Sequence, residues 1–238
     1  MAESQAFASL VDQGAFFAQE RQLHLAELVG EHDRWDADLE VPSLTFTFGD
    51  ETLVCRTQLV GSSTADTWMW GWADEALPAG GTEMARWLQG VGEADGIPEL
   101  CTAEIPLGPG GNDPPTAFWF RLMSVVAALS PSWNGYFAGS PGAGTITPLL
   151  VAHPSLALPA PALLRVVTVL SEGVSAVRLT DHRAAVAGYA SLRSIGCTWN
   201  TYGCTLAFSE GGLELTFDEK NRIAKIRGTT SPAAAPAL

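Results

Sequence analysis

Trp68, Trp70 and Trp72 stand at every second position of the run Thr67-Trp68-Met69-Trp70-Gly71-Trp72-Ala73. Side chains alternate across a strand, so an extended run aligns three indoles on one face and leaves Met69, Gly71 and Ala73 on the other. An indole row serves either a core, here beneath Trp119 or Trp133, or a platform for a flat ligand. The functional reading follows the platform. A nucleobase, a sugar face or an aromatic metabolite would stack on the rings, and Asp74 at the strand's end would supply a polar contact. Arg121 joins them as a lone guanidinium in an apolar stretch. Burying such a group unpaired is costly, so it pairs with Asp36, Asp38 or Asp74, or else it lines the pocket and meets an anionic ligand group. The candidate ligand-binding set is therefore Trp68, Trp70, Trp72, Asp74 and Arg121.

Other residues offer less. Asp36 and Asp38 alternate on one strand, which suits either a solvent face opposite Trp35, Ala37 and Leu39 or a shared acid and base role. Asp74 and Glu99 are further candidates for acid–base work. His24, His32, His153 and His182 show neither zincin spacing nor a His-x-His pair, and the metal expectation is none. Cys55, Cys101, Cys197 and Cys204 include no C-x-x-C pair, which argues against zinc knuckles and thioredoxin-type redox sites. Cys197 and Cys204 are placed to face each other across a hairpin near Asn200-Thr201 as free thiols. Cys101, close to Glu99 and Glu104, is a poor nucleophile because neighbouring carboxylates raise a thiol's pKa. Gly139-Ser140-Pro141-Gly142 is not a nucleophile elbow. The turn Gly108-Pro109-Gly110-Gly111-Asn112 lacks a Walker lysine and reads as a loop. Asp181-His182-Arg183 reads as a capped helix start. No pattern calls for a cofactor.

Composition bounds the partners. The formal net charge of −13 repels phosphate backbones and anionic membranes, and no Lys/Arg run offsets it. Nucleic acid and membrane are therefore excluded as expected partners, leaving a small molecule or a protein. The start Met1-Ala2-Glu3-Ser4-Gln5 has no signal-peptide pattern, and the most apolar helix candidate, Thr116 to Leu129, is too short for a bilayer and contains Arg121. The expected setting is the cytosol.

The elements that would hold these residues are legible in outline. A helix spans residues 5–29, ended by Gly30. Four strands follow at residues 35–39, 44–48, 52–61 and 67–73, with short links that imply an antiparallel meander. Glu83 to Val91 reads as a helix capped by Thr82, with an apolar stripe of Met84, Trp87, Leu88 and Val91. Residues 96–100 break the chain and 101–107 add a strand. A central helix runs to Leu129 from a cap at Asn112 or Asp113, with Pro114 and Pro115 in its first turn. An extended stretch covers 145–152, helices cover 159–171 and 181–194, and three strands cover 205–209, 213–217 and 222–227. The tail 229–238 is rich in Pro and Ala and reads as disordered. The class is α+β, with antiparallel meander sheets packed by helices in one domain over 1–228 and possible halves at 1–130 and 150–228.

Several of these segments carry a resemblance. Trp35-Asp36-Ala37-Asp38-Leu39 with Leu44-Thr45-Phe46, the Trp68–Ala73 run, Gly96-Ile97-Pro98-Glu99-Leu100 and Phe217-Asp218-Glu219-Lys220-Asn221-Arg222-Ile223 resemble a family of bacterial domain-of-unknown-function proteins with a Trp-x-Trp-x-Trp-Ala-Asn signature. The signature has Asn where this chain has Asp74. The resemblance covers about Gln22 to Gly228 and implies one intact domain, with no catalytic residues. The functional expectation is a soluble cytosolic binding or interaction protein with a Trp-lined cleft. The alternative is a small-metabolite enzyme using carboxylates near the Trp row.

Overall fold

Ser4 starts the first helix: its hydroxyl accepts the Phe7 N–H at 3.2 Å and satisfies one of the donors that a helix end leaves open. The helix α1 then runs Gln5–Val29 as expected. The computed structural model describes residues 3–107, 115–142 and 144–230.

Strands β1 (Arg34–Asp38), β2 (Ser43–Phe48) and β3 (Glu51–Leu59) form the antiparallel meander read from their short links. Their alternation sends Leu44, Phe46, Cys55 and Leu59 inward, while Asp36 and Asp38 face solvent opposite the half-buried Trp35 and Ala37. Strands β4 (Gly61–Ser63) and β5 (Thr67–Trp70) follow, then α2 (Glu83–Asp95), the short α3 (Pro98–Cys101), β6 (Glu104–Pro106) and α4 (Pro115–Leu129). The α3 turn replaces the break expected at 96–100. The hairpin of β7 (Gly135–Gly142) and β8 (Thr145–Ala152) returns to the first sheet, where β8 sits between β3 and β4 and gives the order β1-β2-β3-β8-β4-β5-β6, with β7 paired to β8. Only the β8 half of that hairpin is expected from sequence.

The last third places α5 (Leu163–Ala176) and α6 (His182–Leu192) on a second antiparallel sheet. Its strands are β9 (Gly196–Trp199), β10 (Gly203–Phe208), β11 (Gly211–Phe217) and β12 (Ile223–Thr230), in the order β12-β11-β10-β9. Asp181 caps α6, accepting the N–H groups of Arg183 at 2.8 Å and Ala184 at 3.0 Å, as its sequence position implies. Strand β12 includes Thr229 and Thr230, which corrects the expected start of the tail. The expected caps of α4, the glycine turn 108–112 and the tail beyond 230 lie outside the described residues.

Three buried apolar clusters meet along α1. Phe7, Val11 and Ala15 join α2, α4, β5 and β6; Phe16, Phe17 and Ala18 join α5, α6 and β10–β11; Leu25 and Val29 join β2, β3 and β8. Gly14 lets α4 approach closely, because a Cβ there would overlap the Ser124 carbonyl. Buried polar side chains fix α1 laterally. Asp12 accepts from the Thr180 N–H at 2.9 Å, the Thr180 hydroxyl at 2.5 Å and the Asp181 N–H at 2.9 Å. Glu20 accepts from the Tyr189 hydroxyl at 3.0 Å and pairs with Arg193 at 2.8 Å. Among the described residues no helix is long and apolar enough to cross a membrane.

Candidate functional site

Trp68 and Trp70 of the indole row are sealed from solvent. Strand β5 ends at Trp70, because the Gly71 N–H donates to the Val60 carbonyl at 2.9 Å and the Ala73 N–H donates back to the Trp70 carbonyl at 3.0 Å, closing a turn. Trp72 therefore sits in that turn, half-buried, and not third in a strand row. Trp68 and Trp70 do share a face, their rings meeting edge to face at 5.7 Å, and both have 0% exposure. Trp68 leans over Gly61, where a Cβ would lie 2.5 Å from its ring, and packs on Phe118 at 5.8 Å. The Trp70 N–H donates to the Glu99 carbonyl at 3.1 Å. An open platform built on these rings is thus corrected to a core. A small cavity of about 160 Å³ does touch Trp70 and Asp74, but its other walls include Met69, Gly71 and Thr147.

The remaining expected residues are dispersed. Arg121 is buried and pairs with Glu3 beside the Phe7 ring, not with Asp36, Asp38 or Asp74. Asp74 accepts the Ala76 N–H at 3.0 Å in a tight turn, and Asp38 does the same for Glu40 and Val41 at 2.8 and 3.0 Å. Glu99, 4% exposed, is engaged by the Ser4 N–H at 2.5 Å and the Ser4 hydroxyl at 2.7 Å. These carboxylates do not converge. Burial, with Glu93 second, raises the Cys101 thiol above its ordinary value, so the acids expected to do so, Glu99 and Glu104, are not the cause. Among the described residues no group of three or more His, Cys, Asp or Glu is placed to hold a metal ion.

A different region gathers chemistry. In β3 the inward residues Cys55, Thr57 and Leu59 leave Arg56 and Gln58 on the opposite face. Gln58 docks α2 there: its Oε1 accepts the Met84 N–H at 3.0 Å and its Nε2 donates to the Gly80 carbonyl at 2.7 Å. This tertiary cap takes the place of Thr82, whose side chain makes no capping bond. The docking opens a groove of about 630 Å³ between β3, the start of α2 and the Ser130–Trp133 loop after α4. Glu83 and Trp87 line it one helical turn apart, and Trp87 is 46% exposed. Trp133 forms the far wall, with the Arg56 guanidinium 4.4 Å from its ring centre.

The loop wall is held from beneath. Arg21 of α1 lies over the Phe17 ring at 3.9 Å and donates to the Pro131 carbonyl. Burial pulls its pKa down to about 10, helped by Arg193 and opposed by Glu20. A second cavity of about 300 Å³ continues the groove past Arg56 and Ser132 to Asn134 and His153. Sequence reasoning missed this whole constellation. Two signals were available: the outward register of Arg56 within β3, and the place of Trp87 at the edge of the α2 stripe.

A family model described as "Family of unknown function (DUF6882)" matches residues 8–154. The match takes in every groove residue named above and stops before α5, α6 and the second sheet. No curated protein and no solved structure matches the chain.

Proposed function

We propose that this chain, which belongs to the DUF6882 family of unknown function, is a binding protein that holds a flat, partly apolar small molecule in the groove between Trp87 and Trp133. One observation carries the reading: Trp87 keeps 46% of its surface open on the wall of a groove whose opposite side is Arg56 stacked on the largely buried Trp133. Small-molecule sites are concave and lined largely by apolar and aromatic side chains with a few placed polar groups, and this groove has that make-up. The binding role expected from sequence is thereby kept and moved from Trp68 and Trp70 to Trp87 and Trp133. A cytosolic setting suits the same reading, since Cys55, Cys101, Cys197 and Cys204 are all free thiols.

The test uses the neutral dye N-phenylnaphthylamine, which brightens in apolar sites. The intact protein should bind it saturably, and Trp87→Ala should weaken binding about tenfold with little change in the thermal melt. Absence of binding by the intact protein, or equal binding by the variant, would reject the reading.

A further inference from the structure

We infer that the ligand of this groove carries an oxyanion, seated where Arg56, Ser132, Asn134 and His153 meet; the inference rests on the binding reading above and names the chemistry of the ligand. Donors at this end of the groove are left over once the internal bonds are made. Asn134 uses its Oδ1 to accept the His153 N–H at 2.9 Å, which leaves its amide NH₂ as the free end. His153 uses Nδ1 to accept the Ser155 N–H at 3.1 Å, with the Ser155 hydroxyl 2.6 Å from the same atom. The ring proton is thereby assigned to Nε2, which remains a donor. Arg56 rests on Trp133 and makes no ion pair among the described residues.

What this end of the groove offers is a guanidinium, an amide NH₂ and an imidazole N–H, beside the Ser132 hydroxyl, which lies 3.5 Å from that of Ser130. Such a set matches the lone pairs of a carboxylate, phosphate or sulfonate and is poorly matched by a cation. It is a cationic pocket on a chain of net charge −13, and the local field at Arg56 favours an anion. Glu83 lines the α2 end and repels an anion placed there. The two ends therefore orient the ligand, with its anionic group at Arg56 and its flat body toward Trp87.

A matched pair of dyes reads this directly. Anilinonaphthalene sulfonate is the neutral dye of the previous test with a sulfonate added. The intact protein should bind the sulfonate about tenfold more tightly than the neutral dye, the scale of one or two charge-assisted hydrogen bonds. Arg56→Gln removes the cation. Asn134→Asp keeps the acceptor for the His153 N–H and places a negative charge where the amide donates. Each variant should abolish the preference, read as the ratio of the two dye affinities measured on the same variant. Phenyl phosphate and benzoate, compared as competitors, identify the preferred oxyanion. Equal affinity for the two dyes, a preference that survives both substitutions, or failure of both competitors would overturn the oxyanion while leaving the groove intact. Failure of the intact protein to bind either dye would remove both readings together.

Discussion

Two tryptophans measure how far residue-level reading goes. The alternation of Trp68 and Trp70 correctly put both rings on one face, since period two is a property of any strand. Whether that face is covered depends on Phe7, Phe118 and Leu88, which arrive from helices distant in sequence, and no local pattern encodes their arrival. Trp87 gave the reverse error: it fits an apolar helical stripe, but with the start of α2 docked on Gln58 this ring stands at the groove. The contrast is measurable by chemical denaturation. Trp70→Ala removes a sealed ring and its bond to Glu99, and should cost about 3–5 kcal/mol. Trp87→Ala should stay within about 1 kcal/mol. Comparable losses at both positions would mean that Trp87 is also structural.

Among elements, the longer helices and strands β1, β2, β10, β11 and β12 were legible because their periodicity and caps are local: Gly30 after α1, Asp181 before α6, and the turn residues between β10, β11 and β12; the short α3 and the edge strand β9 were not. The β7–β8 hairpin was only half visible, because Gly135–Gly142 has little β-propensity and takes its register from β8. One junction between elements is sensitive to pH. His182, the first residue of α6, accepts the Ile223 N–H of β12 at 3.4 Å through Nδ1. Burial lowers its pKa below the ordinary 6.5; Arg222 acts in the same direction, while Asp12, Asp218 and Asp181 oppose it. The unfolded chain then binds the proton first, so the contribution is complete above 6.5 and is lost as pH falls through the lowered native value. The melting temperature should decline on acidification across that window, and less steeply in His182→Gln. Identical slopes would remove His182 from the account.

At the scale of the whole molecule, α1 is the common member of all three buried clusters. Sequence showed its amphipathic length but not that it is apolar on several sides for different partners. We expect the intact chain to unfold in one cooperative transition by calorimetry; two resolved transitions would indicate separable halves. We also expect a chain ending after Ala157 to lose that transition. Truncation there uncovers Phe16 and Phe17 and strips buried Asp12 and Glu20 of Thr180, Tyr189 and Arg193, and an unpaired buried charge is strongly destabilising. A sharp melt of the shortened chain would show that the family-matched region stands alone. The same placement of α1 bears on synthesis. This helix leaves the ribosome ahead of the partners it packs on, and late ones among them, Tyr189 and Arg193 at the end of α6, follow only after on the order of ten seconds or more of translation. For that interval the nascent chain carries an uncovered apolar helix, and its safe completion depends on what shields that surface in the cell.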